Sequence, residues 1–391
     1  MPDLDQDCVV TPSSREISKH PRNARNLATT VAGTDISPDH AKLLQTNGSF
    51  TLAYSLFQPG LKYFHSEHGL IAYEKRFRCK TIVLADPLAA PEKTGALLDQ
   101  FLAVHPRPFF CGISHSTAEL LSERGFNVNE MGQDVRIHMP SYTLDGPKKQ
   151  TIRQAWNKFQ REEWVVEEWS DGENNAAEVA RQITNEWRAT RTVSDAEMRF
   201  LTRPIVYEPE QDVRKFFVKN KAGFVVAFYF FDPIYEDGKV VGYSTSFKRR
   251  LPEAMTGMEE AINVWAIKKF AAEGKTWLHL GLIPLYRVEE QPAFKHSWVI
   301  RSDMISAKKY ADGVYFNLGG QADFKHRFRG EEVPMYVATR RQLDVLGVYG
   351  VLGATGVPFS LRKTVQIMSQ LCVNKVKDGW NKLRKRNNNV A

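Results

Sequence analysis

The chain has 391 residues, 42% of them hydrophobic and 25% charged, a composition that excludes a fibrous or largely disordered protein. The length exceeds one ordinary domain and is sufficient for two or three. Lys and Arg number 53 against 45 Asp and Glu, a formal net charge of +8. A surplus of this size favours polyanions such as tRNA, or an anionic membrane surface.

The four cysteines are too widely separated to predict a zinc site or a disulfide framework, so we expect a reducing compartment, the cytoplasm. The polar residues 1–35 predict a flexible N-terminal segment rather than a signal peptide. The longest uncharged stretch runs from Val345 to Leu361 and contains Pro358. It is shorter than the roughly 20 residues that a spanning helix needs, so no membrane span is predicted.

From Ser37 onward, strand and helix patterns alternate. The sequence predicts a helix over SPDHAKLLQTNG, strands over FTLAYSLF and GLIAYEKRFRCKTIVLAD, a helix over PEKTGALLDQFLAVH, a strand over FFCGI, a helix over TAELLSERG and a strand over DVRIHM. This alternation indicates one α/β unit.

A basic amphipathic helix is predicted next, with Pro147 in its first turn. Ile152, Trp156 and Phe159 recur at helical spacing and predict a face packed on a core. The remaining surface carries Lys148, Lys149, Arg153, Lys158 and Arg161. These cations can bind a phosphate backbone; the alternative is the solvated face of a packed linker helix.

The second half repeats the order of the first. It predicts a strand over WVVEEW, a helix over AAEVARQITNEWRAT, strands over RKFFVKN, GFVVAFYFFDPIY and KVVGYSTSF, a helix over GMEEAINVWAIKKFAAEG, a strand over WLHLGL, and strand and loop from 314 to 338. Helix, paired antiparallel strands, helix and strand occur in both halves, which favours a tandem duplication.

Four motifs then stand out: DGPKKQTIRQAWNKFQREEW, FKRRLPEAMTGMEEAINVWAIKKFAAEG, LHLGLIPL and YFNLGGQADFKHRFRGEEVPMYVA. Together they resemble the aminoacyl-phosphatidylglycerol synthase family, the catalytic domain of the multiple peptide resistance factor and its stand-alone relatives. The resemblance runs from about residue 37 to residue 340, and the last motif is its most specific part.

The resemblance implies a mixed α/β (α+β) fold, with two acetyltransferase-like (GNAT) domains in tandem joined by the basic helix. The predicted organisation is a flexible segment over 1–35, an N-terminal domain over 36–146, a linker helix over 147–163, a C-terminal catalytic domain over 164–342, and an apolar, basic tail over 343–391.

The implied reaction moves an aminoacyl group from aminoacyl-tRNA to a phosphatidylglycerol-like headgroup. An aminoacyl ester is already activated, so no cofactor, metal or covalent intermediate is required. The enzyme has to position an acceptor hydroxyl and stabilise the developing oxyanion. Arg and Lys can also neutralise the phosphates of lipid and tRNA.

The segment FKHRF is expected to be extended, so that Lys325, Arg327 and Arg329 share one face. The alternative is a solvated basic edge strand, which protects a sheet against aggregation. The resemblance favours catalytic roles for Lys325 and Arg327. It also aligns Arg249 with the family's motif arginine, a third catalytic candidate, and places Ser246 where the family carries an aspartate.

The other candidates are substrate-binding. Glu260 lies where the family carries an acidic residue, although an acid in the first turn of a helix is also favoured by the helix dipole. Asn317 matches the signature asparagine and has the alternative role of capping its own backbone. Lys149 and Arg153, on the basic helix, are expected to contact phosphate.

Two other functions remain open. One is a CoA-dependent N-acyltransferase of the same fold, although the usual pyrophosphate loop is not evident. The other is a non-catalytic protein that binds RNA or a membrane surface. In the tail, an apolar, Gly-rich stretch from Val345 is followed by SLRKTVQIMSQLCVNKVKDGWNKLRKR, in which Val365, Met368, Leu371, Cys372 and Val376 lie roughly on one face. This second segment resembles an interfacial helix that contacts anionic lipid, with a helix docked on the protein's own core as the alternative. It suggests a peripheral position on the inner membrane face.

Overall fold

The computed structural model describes residues 36–77, 80–169, 175–190, 199–290, 292–311 and 317–356. The predicted segment 1–35 and most of the predicted tail lie outside these ranges. None of the helices within them has the length and apolarity needed to cross a bilayer.

Twelve strands and nine α-helices lie in the described ranges. The strands are β1 Lys62–Ser66, β2 Gly69–Arg76, β3 Lys80–Leu84, β4 Leu88–Ala89, β5 Phe109–Ile113, β6 Asn127–His138, β7 Val165–Glu168, β8 Arg214–Lys219, β9 Val225–Glu236, β10 Lys239–Arg250, β11 Trp277–Pro284 and β12 Glu331–Thr339. The helices are α1 Pro38–Asn47, α2 Pro91–Val104, α3 His115–Glu123, α4 Gln150–Arg161, α5 Ala176–Ala189, α6 Met258–Ala272, α7 Trp298–Ala311, α8 Leu318–Arg327 and α9 Val345–Ala354.

The strands form one continuous mixed sheet in the order β1-β2-β3-β5-β12-β6-β11-β10-β9-β8-β7, with β4 paired to β2. The first half of the chain meets the second where β6 pairs with β11. Strand β12, which comes late in the chain, lies between β5 and β6 among the N-terminal strands. The predicted domain boundaries stay predictions. The sheet continues across them, because β12 belongs to the predicted C-terminal domain and pairs with β5 and β6 of the predicted N-terminal domain.

Each half contains one parallel strand pair with a helix between its members in the chain. In the first half β3 and β5 are parallel and α2 connects them; in the second β10 and β11 are parallel and α6 connects them. The other strand pairs in the described ranges are antiparallel. This correspondence supports the duplication that the element order predicted.

Helices cover both faces of the sheet. In the first half, α2 and α3 pack on one face through residues such as Phe101 and Leu121, and α1 and α9 pack on the other. In the second half, α4 and α6 cover one face and α5 the other. Ile152 and Phe159 of the basic helix α4 are buried as predicted, and Trp156 is half-buried against the same core.

Two predicted strands are wrong. FTLAYSLF forms turns and a short 3-10 helix, Tyr54–Phe57, which bury residues 52–56. A short apolar run does not by itself separate a strand from a buried helical turn. FKHRF forms the end of helix α8. Five residues do not separate the two periods, and the helix is fixed by the Asn317 cap at its start and by the burial of Lys325 and Phe328.

Candidate active site

The predicted catalytic residues converge on one end of the second half. Ser246, Lys248 and Arg249 lie in the last five residues of β10, and the chain then enters α6 through a turn at Gly257. Helix α8 packs beside β11 and brings Lys325 to the same place. The cluster therefore joins two strands and two helices.

Gly257 permits the tight entry into α6. Its φ of 88° lies in the left-handed region, which favours glycine. A Cβ atom at this position would also lie 2.9 Å from the Cβ atom of Ala155 in the basic helix α4. Glycine at 257 thus lets α4 pack directly against the start of α6, where the acidic residues of the site are located.

Lys325 is buried, with 8% of its surface exposed, and its Nζ atom donates a hydrogen bond to the carbonyl oxygen of Leu282 at 2.7 Å. Gly281, beside that carbonyl, has a φ of 81° and leaves room for the amine. Burial, and then the positive charge of Lys248, lower the pKa of Lys325 to about 7, against a smaller opposing effect of Asp134. A primary amine in this state can accept or donate a proton near neutral pH.

A second lysine of this site, Lys248, is close enough for its positive charge to help lower the pKa of Lys325. Its Nζ atom lies 3.2 Å from Glu259 in the first turn of α6 and 4.1 Å from the ring centre of Phe324. The charge of Lys248 is the main reason that the pKa of Glu259 is lowered. Neither Lys248 nor Glu259 was among the residues predicted from the sequence. The signal for Lys248 was its position one residue before the motif Arg249.

Arg327 pairs with Glu260 rather than sharing a face with Lys325. The guanidinium is 2.6 Å from a carboxylate oxygen of Glu260, which is largely buried, while Arg327 is partly exposed. Because residues 325 and 327 lie on a helix, they point in different directions. The prediction of one cationic face formed by Lys325, Arg327 and Arg329 is therefore wrong.

The remaining candidates in the cluster make local contacts. Arg249 stacks on Trp187, with its guanidinium carbon 3.8 Å from the ring centre, and donates to the carbonyl of Lys248. Ser246 donates to the carbonyl of Phe230 at 3.0 Å on the neighbouring strand. The side chain of Asn317 accepts from the backbone N–H of Gly320 at 2.8 Å and caps α8, the alternative role considered for it.

Lys149 and Arg153 are directed to the connector that precedes the basic helix. Lys149 donates to the carbonyl of Thr143 at 2.7 Å, and Arg153 donates to those of Leu144 and Gly146 at 2.6 and 3.0 Å. These contacts hold the connector against α4. In the part of the chain that the structure describes, neither side chain forms a hydrogen bond with Lys325, and a role for them in phosphate binding stays a prediction.

A buried polar group that the sequence analysis missed lies behind Lys325. The Thr51 hydroxyl is 2.5 Å from Asp134 of β6 and 2.7 Å from Nδ1 of His279 in β11. Arg136 also donates to Asp134 at 2.9 Å. Burial lowers the pKa of His279 to about 4, so the ring is neutral at pH 7. The group sits where β6 meets β11, and Asp134 lies opposite Leu282 in the register.

The cluster is thus a buried amine beside a second cation, with two carboxylates in the first turn of α6. It combines a group that exchanges a proton near neutral pH with positive charge that attracts an anion. Among the described residues, no three His, Cys, Asp or Glu side chains come together in a way that would hold a metal ion.

Comparison with known proteins gives consistent results. A family model described as phosphatidylglycerol lysyltransferase, C-terminal, matches residues 41–339. The phosphatidylglycerol lysyltransferase of Bacillus subtilis (strain 168) is 26% identical over 311 residues, covering 77% of this chain and 35% of that protein. The chain therefore spans about a third of the length of this curated relative.

Three solved structures show the same fold. L-PGS from Bacillus licheniformis has a TM-score of 0.67 at 19% identity, covering 83% of this chain and 99% of that one. The C-terminal domain of a putative lysylphosphatidylglycerol synthetase from Agrobacterium fabrum has a TM-score of 0.66 at 17% identity, with 82% and 98% covered. FemX has a TM-score of 0.50 at 10% identity, with 81% and 98% covered. The predicted mixed α/β fold is confirmed.

Proposed function

The chain belongs to the family described as phosphatidylglycerol lysyltransferase, C-terminal, and we propose that it transfers an aminoacyl group from aminoacyl-tRNA to a hydroxyl of a phosphatidylglycerol-like lipid. The match covers residues 41–339, which include the whole cluster around Lys325. The relatives named as lysyltransferase or lysylphosphatidylglycerol synthetase support lipid aminoacylation. The family resemblance found in the four sequence motifs is confirmed by this match.

The observation that carries the proposal is the environment of Lys325. In the proposed reaction the lipid hydroxyl oxygen bonds to the ester carbonyl carbon, and the bond from that carbon to the terminal ribose oxygen of the tRNA breaks. The hydroxyl proton has to reach the ribose oxygen. An amine whose pKa is about 7 can take the proton from one oxygen and deliver it to the other.

The surrounding charges suit the two substrates. Lys248, beside Lys325, supplies positive charge toward the lipid phosphate or the 3′ end of the tRNA. Arg249 and Arg327 are proposed as the further catalytic cations, each oriented by the contacts described above. Their planar guanidinium groups suit the bidentate recognition of phosphate.

The substrate-binding residues are proposed in two groups. Ser246 at the end of β10, Glu260 paired with Arg327, and Asn317 at the start of α8 are proposed to position the aminoacyl ester. Lys149, just before the basic helix, and Arg153, on it, are proposed to contact tRNA phosphate, since this helix packs against the start of α6. We further propose that the protein is cytoplasmic and that its tail, residues 343–391, contacts the inner membrane face.

The test is the transfer of radiolabelled amino acids into lipid. The full chain is mixed with total charged tRNA and vesicles containing phosphatidylglycerol, with and without RNase treatment of the tRNA, and the organic-extractable label is counted. The variant Lys325→Met is compared with Lys93→Met, which removes an exposed lysine on α2 in the other half.

We expect label in a lipid product that RNase abolishes, a loss of at least about a hundredfold in Lys325→Met because general acid–base catalysis contributes that much, and wild-type transfer in Lys93→Met. Absence of label with every amino acid, together with turnover of acetyl-CoA, would contradict the proposal and favour the CoA-dependent alternative. Absence of any turnover, with RNA or vesicle binding unchanged in Lys325→Met, would favour a non-catalytic binding protein.

A further inference from the structure

Helix α9 packs on the sheet with its smallest residues. Gly347, Gly350 and Ala354 are buried against the first half of the sheet. A Cβ atom at Gly350 would lie 2.7 Å from Ile82 in β3, and one at Gly347 would overlap the ring of Phe109. Glycine at these positions lets the helix backbone lie close to β3, where Val348 and Val351 also pack, and leaves Val345, Leu346 and Tyr349 on the outer side.

Those outer side chains are apolar. The exposed large hydrophobic residues on and beside α9, which we call the apolar ridge, are Trp298, Leu343, Val345, Leu346 and Tyr349. Trp298 is included in the ridge because its backbone N–H donates a hydrogen bond to the side chain of Gln342, close to the start of α9. In the described part of the chain nine large hydrophobic residues are strongly exposed, and five of them belong to the apolar ridge. The exposure is therefore concentrated at one place.

A surface helix in water normally carries charged or polar residues on its outer face. Residues 345–355 contain no charged side chain, so α9 does not follow this rule. Arg341 and Arg340 lie four and five residues before the start of α9, and both are exposed. The ridge thus combines apolar side chains, a Trp and a Tyr, and adjacent positive charge, which is the composition of surfaces that enter the interface of an anionic bilayer.

We propose that the apolar ridge docks the protein on the surface of an anionic lipid bilayer. This inference rests on the proposed function in one respect, since a lipid acceptor requires access to a membrane. Among possible occupants, a bilayer fits best because it meets apolar side chains and arginines at once. A second copy of the chain would bring the arginine pairs of two molecules close to one another, which is unfavourable.

The apolar ridge and the candidate active site lie on different parts of the sheet. Helix α9 covers β3, and Lys325 contacts β11, which is four strand positions further along the sheet. At about 4.8 Å between neighbouring strands, the two strands are separated by roughly 19 Å. The ridge is therefore distinct from the cluster around Lys325.

Vesicle sedimentation tests the inference without tRNA or transfer, so its result is independent of the proposed function. The full chain is mixed with vesicles of phosphatidylglycerol and phosphatidylcholine, or of phosphatidylcholine alone. The double variant Trp298→Ser/Leu346→Ser is compared with Phe224→Ser, which removes an exposed aromatic from the turn before β9, in the other half. A further variant, Arg340→Gln/Arg341→Gln, changes only the flanking charge.

We expect the Trp298→Ser/Leu346→Ser variant to bind anionic vesicles about tenfold more weakly or worse, because two large apolar side chains no longer leave water. Phe224→Ser should bind as the wild type does. The affinity of the arginine variant for anionic vesicles should fall roughly fivefold per arginine, and its affinity for neutral vesicles should not change. Equal binding of the wild type and Trp298→Ser/Leu346→Ser, with both folded by circular dichroism, would overturn the inference. So would loss in this variant of a concentration-dependent dimer while vesicle binding is retained.

Discussion

The Nζ atom of Lys325 lies 2.7 Å from the carbonyl oxygen of Leu282, and this hydrogen bond ties helix α8 to strand β11 at the centre of the candidate active site. Leu282 lies beyond the stretch of β11 that pairs with β10, which ends at His279. On the other side of β11, Leu282 stays in register with Asp134 of β6. The amine is thus held by a backbone carbonyl rather than by a carboxylate partner.

The first prediction concerns stability and pH. The pKa of Lys325 falls from about 10.4 in the unfolded chain to about 7 in the fold. Burial of the charged amine therefore destabilises the folded protein to the full extent below pH 7. This destabilisation decreases as the pH rises toward the pKa of the lysine in the unfolded chain. Relative to Lys325→Met, the free energy of unfolding of the wild type should rise by about 1.4 kcal/mol per pH unit between pH 7 and 9. Urea denaturation at several pH values measures this.

The control for that experiment is Lys93→Met, for which the difference from wild type should not vary with pH over the same window. A constant difference between wild type and Lys325→Met would mean that the amine keeps its proton in the folded protein, and that Lys325 acts only as a cation.

The second prediction concerns the charges that set the protonation of Lys325. Lys248→Met removes a positive neighbour and should raise the pKa of Lys325, whereas Asp134→Asn removes a negative one and should lower it. The measurement is an NMR titration of ¹³C-labelled lysine, with the Lys325 signal assigned by its absence in Lys325→Met. Lys268→Met, an exposed lysine on α6, serves as control. Shifts in the same direction for both variants would show that packing, not charge, governs the amine.

The third prediction concerns the pair Arg327 and Glu260. Arg327→Ala leaves a largely buried carboxylate without its guanidinium partner, and should destabilise the protein by roughly 1–3 kcal/mol. Arg329→Ala, at an exposed position two residues past the end of the same helix, should change stability by less than about 0.5 kcal/mol. Thermal or urea unfolding measures both.

A double-mutant cycle separates this pair from a general loss of packing. Adding Glu260→Gln to Arg327→Ala should recover part of the lost stability, because the amide carries no charge to desolvate. Strict additivity of the two changes would argue that the 2.6 Å contact contributes nothing.

The fourth prediction concerns the glycine at the start of α6. Gly257→Ala forces an L-residue into a left-handed conformation and also drives its Cβ atom to 2.9 Å from Ala155. Gly274, at the end of the same helix, has a φ of 76° but nothing within 4 Å of the added atom. The free energy of unfolding should fall by roughly 1 kcal/mol in both alanine variants because of the strained backbone. It should fall further in Gly257→Ala because of the contact with Ala155.

Limited proteolysis gives a second measurement of this effect. In Gly257→Ala the basic helix α4 should become sensitive to trypsin at its lysines and arginines, while in Gly274→Ala it stays protected. Equal stability and equal protection of the two variants would show that α4 does not depend on the close approach at Gly257.

Much of the architecture follows from local pattern. The basic helix α4 was predicted from its helical period, the long helix α6 from its length and its end at Gly274, and strand β11 from a short apolar run. The FKHRF segment was misjudged because five residues satisfy an alternating pattern as well as a helical one. The Asn317 cap, seven residues before the segment begins, was the signal that decides between them.

The site was predicted less completely, for a physical reason. Lysine is rarely buried, so no sequence rule places the amine of Lys325 inside the protein. Asp134 and His279 come together across a pairing of strands from opposite halves of the chain, at a separation that local pattern does not reach. Arg249, in contrast, was found from the motif alone, which also covers its neighbour Lys248.

The place of β12 has a consequence for biosynthesis. During translation β5 and β6 emerge long before residues 331–339, so the gap between them stays open and two inner strand edges face the solvent. The first half cannot close its sheet until residues 331–339 have been made, so its folding requires contacts between strands far apart in the chain. Until then the edges of β5 and β6 are open to pairing with other strands.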